Sequence, residues 1–247
     1  MRLSTPAGKY SPIQISKRTK RIFDVIALWL YDAITSQIYS VMKIVAFMGQ
    51  KGGTGKTTLA VHTAVAAGQD GHKVVLIDTD PQQSATFWGD NRKLETPIVA
   101  TATPGQLPEV LAAAKAEGIT LVVLDCAPHS SPNASEVARL ADFIVIPTRA
   151  SAFDLAAAES TVKIVKASNK PFGFVLNAID QKVAESGEAL DFLKIQYGGS
   201  VAPSKVGNRI AFARSIATGQ GATEFDTTEG KARGEIKLLW KWIKENL

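Results

Sequence analysis

The sequence predicts an α/β fold built around a doubly wound, mostly parallel β-sheet. Two observations lead to this prediction. From residue 43 onward, short apolar runs typical of buried strands alternate with helix-like segments. The first apolar run leads directly into a glycine-rich loop and then into a helical pattern. In parallel sheets this order places a ligand-binding loop at the carboxyl edge of the strands.

Strands are predicted over residues 43–48, 73–80, 119–125, 141–148 and 171–179, with a sixth over residues 198–203. Each carries the β-branched and aliphatic residues of a strand that is covered on both faces. Helical patterns follow the glycine-rich loop over residues 56–71 and precede the third strand over residues 107–118.

The C-terminal segment, residues 229–247, has the pattern of an amphipathic helix. One stripe of this helix carries Ile236, Leu239, Trp240, Ile243 and Leu247, and lysines 237, 241 and 244 lie on the other side. Two interpretations follow from this pattern. The helix either packs its apolar stripe on the domain or lies on a membrane surface, where tryptophan and lysine are also favoured.

The composition is that of an ordinary globular protein. Hydrophobic residues make up 45% of the 247 positions and charged residues 21%. This length allows a sizeable core. The single cysteine, Cys126, excludes an internal disulfide framework and is consistent with a reducing cytosol. The three histidines are scattered, so no cluster of metal ligands is expected from them.

The sequence divides at Met42 into an N-terminal extension, residues 1–42, and a domain, residues 43–247. The extension holds six basic and two acidic residues, a net charge of +4, which leaves only +1 of the chain's +5 for the domain. Its apolar run from Val25 ends before Asp32, well short of the ~20 residues of a membrane span. It also lacks a clear signal-peptide cleavage site. A basic amphipathic anchor and a dispensable segment upstream of a natural start at Met42 both remain open.

The glycine-rich loop lies within MGQKGGTGKTTLAVHTA, residues 48–64. Its end matches the nucleotide-loop pattern G-x-x-x-x-G-K-[ST], although Gln50 stands where the first glycine belongs. Lys56 is expected to reach the β- and γ-phosphates, and the Thr57 hydroxyl to bind Mg²⁺. The predicted nucleotide contacts in this loop are Gly52, Gly53, Thr54, Gly55, Lys56, Thr57 and Thr58.

The stretch KGGTGKTT resembles the deviant Walker A signature of the ParA/MinD family of ATPases, in which an extra lysine, here Lys51, follows the first position of the loop. Three later stretches agree in order and spacing. VVLIDTDPQQSATFW (74–88) resembles switch I, LVVLDCAP (121–128) resembles Walker B with switch II, and DFIVIPTRASAFDL (142–155) resembles the strand and loop that follow. The resemblance covers residues 43–247 and is strongest to the short, ParF-like plasmid partition ATPases. It implies the fold of a P-loop NTPase.

The resemblance also implies a mechanism. In this family two subunits enclose two ATP molecules, so Lys51 is expected to contact the phosphates held by the other subunit. The implied activity is weak, Mg²⁺-dependent ATP hydrolysis, with Lys51, Lys56 and Asp80 as catalytic residues. A second cation arriving with the partner would stabilise charge in the transition state.

Several polar residues at strand ends are assigned to the same site. Asp78 and Asp80 are two apart, so both can face the phosphates from the end of an extended strand. By resemblance Asp80 orients the attacking water, Asp78 steadies the Mg²⁺ shell or the loop, and Asp125 is the Walker B carboxylate. Asn177 is expected to recognise adenine, since an amide both donates and accepts hydrogen bonds, and Pro203 to line the base pocket.

The C-terminal third bears on what the ATPase acts upon. Residues 205–247 hold eight basic and five acidic residues, a net charge of +3, which could form a salt-sensitive surface for phosphate. The DNA-binding candidates are Arg209, Arg214, Lys237 and Lys241. The resemblance implies a nucleoid-associated ATP dimer that binds nonspecific DNA, with a ParB-like centromere-binding partner that stimulates hydrolysis. The alternatives are a MinD-like membrane-associated regulator and a positioning ATPase for another cargo.

Overall fold

The computed structural model describes residues 41–128, 132–180, 185–198, 200–226 and 230–247. Residues 42–247 form one compact unit. Apart from its last two positions, the N-terminal extension lies outside the described residues, so the predictions about it stay predictions.

A six-stranded sheet forms the centre of this unit. Its strands are β1 Lys43–Phe47, β2 Val74–Asp78, β3 Ile98–Thr101, β4 Leu121–Asp125, β5 Phe143–Thr148 and β6 Phe172–Leu176. Every pairing is parallel, and the order across the sheet is β3-β2-β4-β1-β5-β6. The order reverses at β1, and this reversal makes the sheet doubly wound. The predicted fold class is confirmed.

Helices connect the strands and cover both faces of the sheet. They are α1 Lys56–Gln69, α2 Ser84–Asp90, α3 Leu107–Ala116, α4 Pro132–Leu140, α5 Ala152–Ala167, α6 Glu185–Tyr197, α7 Ile210–Ala217, α8 Ala222–Phe225 and α9 Lys231–Glu245. A short 3-10 turn, Pro104–Gln106, precedes α3.

The structure corrects the position of the sixth strand. The sixth strand is β3, which pairs only with β2 at the edge of the sheet and has no fully buried residue. The sequence pattern missed this strand because its run is only four residues long. Within residues 198–203, predicted as a strand, the described positions contribute an isolated bridge between Val201 and Phe174. Pro203 has no N–H group with which to extend this pairing.

Alternating side chains of the strands fill two cores, one on each face of the sheet. Val45 and Phe47 of β1 point into a core that includes α1 and α9, whereas Ile44 and Ala46 point into a core that includes α3, α4 and α5. Both sets are buried, as expected for parallel strands covered on both faces. The rigid sheet holds its carboxyl edge in place between these two layers.

The C-terminal helix α9 packs on the domain. Ile236, Leu239 and Ile243 are fully buried, and the ring of Trp242 lies edge-on to Phe143 with 5.3 Å between centroids. The Trp240 indole N–H donates to Asp70 Oδ2 at 2.9 Å. The apolar stripe is therefore covered by protein, which is the first of the two predicted interpretations. No helix in the described part of the chain is both long and apolar enough to cross a membrane.

His62 joins α1 to the C-terminal helices from a fully buried position. Its Nδ1 accepts a hydrogen bond of 3.2 Å from the Ala222 N–H, so the neutral ring carries its proton on Nε2. Burial lowers the pKa of His62 from 6.5 to about 3. The folded protein therefore keeps this ring neutral at pH values where the unfolded chain protonates it.

This difference predicts a pH effect on stability. Since the pKa is depressed by folding, the contribution of neutral His62 is complete above pH 6.5 and is lost as the pH falls towards about 3. We compare the free energies of unfolding of the wild type and a His62→Gln variant. The difference, wild type minus variant, should rise by about 1.4 kcal/mol per pH unit between about pH 4 and 6.5 and then level off. Urea unfolding across this range measures the difference. A difference that does not change with pH would contradict the prediction.

Candidate functional site

The site is built where three strands end side by side. Phe47 at the end of β1 and Asp78 at the end of β2 are both register partners of Asp125 at the end of β4. The glycine-rich loop leaves β1 at this point and enters α1 at Lys56. Parallel pairing thus brings the loop and the strand-end carboxylates to one edge of the sheet.

The loop presents backbone N–H groups at the start of α1. Gly53 and Gly55 have φ angles of 74° and 98°, in the left-handed region that glycine adopts without strain. A Cβ atom on Gly55 would also overlap Asn177 Nδ2, so this position admits no side chain. No side chain caps α1, and no acidic residue stands in its first turn. The uncapped N–H groups and the positive end of the helix dipole suit an anion.

Lys56 lies beneath this loop and is only 6% exposed. Its ammonium donates a 3.3 Å hydrogen bond to the Lys51 carbonyl oxygen. Burial lowers the pKa of Lys56, and the nearby carboxylates of Asp125 and Asp80 oppose this effect. A buried cation with one neutral hydrogen-bond partner is poised to bind a negatively charged ligand.

An open cleft of about 670 Å³ adjoins the loop. This volume lies within the range of small-molecule sites. The cleft is lined by Gly52, Gly53, Gly55, Lys56, Thr57, Thr58, Asp80, Gln82, Ser84, Pro128, Arg149, Asn177, Ala178, Gly207, Asn208, Arg209, Phe212, Ala213 and Ile216. Most of the loop residues assigned from sequence therefore face one cavity.

The Asp125 carboxylate is suited to bind a cation. Both of its oxygens are buried, and neither accepts a hydrogen bond of good geometry within the described residues. Burial is the main cause that raises the pKa of Asp125 to about 7; the nearby Thr57 hydroxyl and Lys56 act in the opposite direction. In the described residues no cluster of three or more His, Cys, Asp or Glu side chains could hold a metal. Mg²⁺ shared with phosphate oxygens and water needs only one or two protein ligands, so Thr57 and Asp125 fit it.

Asp78 is held in place by hydrogen bonds from neighbouring groups. Its Oδ2 accepts from both the Thr86 N–H and the Thr86 hydroxyl, at 2.9 and 3.1 Å, and its Oδ1 accepts from the Asp80 N–H at 3.0 Å. Asp78 is 2% exposed and does not line the cleft. Because β2 ends at Asp78, Asp80 does not continue the strand and the two carboxylates do not face the same way. These hydrogen bonds order the loop, and the predicted contact of Asp78 with the Mg²⁺ shell stays a prediction.

Asp80 faces the cleft from that loop. One of its oxygens accepts a 2.9 Å hydrogen bond from the Gln82 N–H, which fixes the orientation of the carboxylate. Its other oxygen accepts no hydrogen bond within the described part of the chain. This arrangement leaves an oriented acceptor beside the phosphate loop, as a water-orienting residue requires.

The two residues predicted to bind the base lie in different places. The Asn177 amide donates one of its two N–H groups to the Thr54 carbonyl oxygen at 2.7 Å, which braces the loop, and Asn177 also lines the cleft. Pro203 lines a separate surface pocket with Ile179 and Lys205 and does not reach the cleft. The far end of the cleft is formed by residues 207–216 instead. Asn208 and Phe212 there were missed because no local pattern distinguishes them from ordinary loop and helix residues.

Lys51 is held within its own chain. Its ammonium lies 2.8 Å from Asp154 Oδ1 in an ion pair, with the lysine side chain 41% exposed and the carboxylate 5% exposed. Among the described residues that line the cleft, Lys51 is absent. Its charge therefore lies outside its own phosphate site.

The four predicted DNA contacts also differ in availability. Arg209 makes a two-point ion pair with Glu235, including a 2.9 Å hydrogen bond from Nε, and lines the cleft. This pairing occupies the guanidinium and does not support its assignment to DNA. Arg214 is exposed on α7. Lys237 and Lys241 line a groove that Arg233 and Lys244 share.

Comparison with known proteins identifies the class to which this fold and site belong. Residues 45–222 match the family described as the CobQ/CobB/MinD/ParA nucleotide binding domain. A maintenance of carboxysome distribution protein A from Gloeobacter kilaueensis is 34% identical over 152 residues, which cover 60% of this chain and 68% of the relative. The chromosome partitioning protein ParA of Caulobacter vibrioides is 23% identical over 246 residues, covering 80% of this chain and 92% of that protein.

Solved structures show the same fold. The cell division ATPase MinD of Pyrococcus furiosus superposes with a TM-score of 0.66 at 20% identity, covering 84% of this chain and all of that one. An ATP complex of a Cyanothece McdA variant gives a TM-score of 0.65 at 17% identity, covering 83% of this chain and 96% of that one. The chain belongs to the CobQ/CobB/MinD/ParA family and is a ParA/MinD-type ATPase, as the sequence predicted. ATP and Mg²⁺ are the cofactors of this class of site.

Proposed function

We propose that this ATPase is a dimerising switch for DNA partition, which binds nonspecific DNA as an ATP-loaded homodimer. Domain 43–247 carries this function, and hydrolysis is stimulated by a centromere-binding partner protein. In the proposed site Lys56 and the loop 52–58 bind the phosphates, Thr57 and Asp125 hold Mg²⁺, and Asp80 orients the attacking water. Bound Mg²⁺ would neutralise phosphate charge.

The groove beside α9 is the observation that carries the DNA proposal. It has a volume of about 540 Å³ and is lined by Arg233, Lys237, Lys241 and Lys244 together with Ala66, Gln69, Asp70 and Trp240. The three lysines are spaced by four and three residues, so they lie on one face of the helix. Lys237 has no ion pair within the described residues, and the contact of Lys241 with Glu245 is a weak, exposed one of 3.9 Å. Such a row of cations suits the phosphates of a nucleic-acid backbone.

The proposed dimer is supported by two features of the face around Lys51. Lys51 is turned away from its own cleft. Phe153, next to Asp154, is 83% exposed and offers an apolar side chain that a partner could cover. A second copy bound at this face would cover Phe153 and bring another Lys51 towards the phosphates.

Positioning of another cargo on the nucleoid is the second candidate function. It is favoured by the 34% identity to a maintenance of carboxysome distribution protein, which is higher than the 23% to the chromosome partitioning ParA. Both functions use the same ATP and DNA chemistry and differ in the partner protein. A membrane role finds less support, since the apolar stripe of α9 is buried.

Reversing the charge of two groove lysines tests the DNA surface. In a Lys237→Glu/Lys241→Glu variant loaded with a nonhydrolysable ATP analogue, we expect affinity for nonspecific duplex DNA to fall at least about tenfold, because two phosphate contacts become repulsive. Fluorescence anisotropy at several salt concentrations would measure both the affinity and a shallower salt dependence.

A matched control is available on the opposite layer of the fold. Lys115 on α3 and Lys163 on α5 are exposed, and changing both to glutamate alters the net charge by the same amount. This control should keep nearly all DNA affinity. Equal losses in the two variants would show that overall charge governs binding, and undiminished binding by the groove variant would reject the surface.

A further inference from the structure

The ion pair between Lys51 and Asp154 has a consequence for dimerisation. We propose that Asp154 is a positioning residue that holds Lys51 within its own subunit and must release it before the lysine can reach the partner's ATP. This inference rests on the proposed ATP-dependent dimer. It assigns a role to a carboxylate outside the cleft.

Asp154 is built to hold a cation in one place. It lies in the first turn of α5, is 5% exposed, and its N–H donates a 3.2 Å hydrogen bond to the Ser151 hydroxyl at the helix N-cap. Its Oδ2 accepts a short hydrogen bond from the same hydroxyl. The Ser151 hydroxyl thus holds the carboxylate at Oδ2, and Oδ1 lies 2.8 Å from the Lys51 ammonium.

The carboxylate stays ionised in this setting. Burial by itself would raise the pKa of Asp154, but hydrogen bonds from Lys51 and Ser151 and the charges of Lys51 and Arg149 outweigh it, so the pKa lies below its ordinary value. Lys51 therefore faces a full negative charge in the nucleotide-free chain. An incoming triphosphate carries more negative charge and can compete for the ammonium.

Arg149 makes this release feasible. It follows β5, lines the cleft, and places its guanidinium 4.0 Å from where a Cβ on Gly53 would lie. Its charge acts on Asp154. When Lys51 leaves, Asp154 thus keeps a second cation nearby, which reduces the cost of an unpaired buried charge. Lys51 therefore exchanges Asp154 for phosphate only when the partner subunit holds ATP, so a productive dimer forms only with ATP bound.

An Asp154→Asn variant tests this inference, because asparagine keeps the size of the side chain and an oxygen for the Ser151 hydroxyl. With a nonhydrolysable ATP analogue, sedimentation velocity should give a dimer dissociation constant about fivefold lower than that of the wild type, since the competing ion pair is lost. In a Lys51→Ala background the same substitution should have no effect. Thermal melting of each variant confirms that it is folded.

Glu159→Gln on the same helix is the matched control. It removes the carboxylate partner of Lys163 from an exposed pair of 3.5 Å that does not involve Lys51 or Asp154, and should leave dimerisation unchanged. Unchanged or weaker dimerisation of Asp154→Asn would overturn the inference, as would an effect that persists without Lys51.

A second measurement uses the nucleotide-free monomer and does not depend on dimerisation. Trace acetylation followed by mass spectrometry should show Lys51 reacting faster in Asp154→Asn than in the wild type, because an ion-paired amine is less nucleophilic. Equal reactivity would overturn the holding role. A wild type that stays monomeric with ATP would overturn both the proposed function and the release step, whereas a wild-type dimer unaffected by Asp154→Asn would overturn only the latter.

Discussion

Replacing Lys56 with alanine is expected to abolish nucleotide binding. Lys56 is 6% exposed beneath the phosphate loop, and its ammonium donates a 3.3 Å hydrogen bond to the Lys51 carbonyl oxygen. In water-poor surroundings its contact with phosphate should be strong, and losing one partner of such a pair commonly costs about 2–5 kcal/mol. We expect ATP affinity to fall at least about a hundredfold. Isothermal titration calorimetry with Mg²⁺-ATP measures this loss.

Lys51→Ala is the matched control for this variant. It removes a lysine five residues earlier that points to Asp154 and does not line the cleft. Monomer binding should be largely retained in Lys51→Ala, while hydrolysis should be lost if Lys51 acts across the interface. Lys56→Ala binding ATP within tenfold of the wild type would show that the helix N-terminus alone holds the phosphates. Hydrolysis by Lys51→Ala at the wild-type rate would refute the cross-subunit role.

Replacing Asp80 with alanine should abolish hydrolysis but spare ATP binding. Asp80 lines the cleft, and its orientation is fixed by the 2.9 Å hydrogen bond from the Gln82 N–H. Orienting or activating water by a carboxylate contributes about 10²–10⁴-fold to the rate, so kcat should fall by at least about a hundredfold. A phosphate-release assay with saturating ATP measures kcat, and calorimetry checks that binding remains.

Asp80→Asn separates catalysis from loop structure. Asparagine keeps an oxygen that can accept from the Gln82 N–H but removes the charge, so the loop should persist while hydrolysis is still lost. Recovery of most activity in Asp80→Asn would mean that Asp80 only shapes the loop. The ATP-bound Asp80→Ala protein also provides a test of DNA binding, and no binding by its dimer would count against the proposed function.

The architecture was predictable because parallel, doubly covered strands have a strong local signature. β2 and β4 consist entirely of buried residues, and both were recognised as apolar runs. The edge strand β3 was not recognised. Its residues are at most partly buried, and only one of its two edges is paired with another strand. Residues 198–203 resembled a strand, but pairing there stops after one bridge.

The phosphate loop was equally clear in the sequence, because its chemistry requires glycines, a lysine and a threonine at consecutive positions. What each polar side chain does was less predictable. Asp78 and Asn177 stand at strand ends where a ligand contact was predicted, and in the structure both also make hydrogen bonds that support loops. Only the surrounding donors and acceptors distinguish a ligand contact from a brace.

By itself the sequence determined the buried strands, the loop and the family, because each is recognised from residues close together in the chain. The tertiary structure alone decided the partners of long-range charges: Asp154 for Lys51 and Glu235 for Arg209. These pairs join residues 103 and 26 positions apart. A single charged residue leaves no periodic pattern in the sequence. Which opposite charge it pairs with depends on how the layers pack around the sheet.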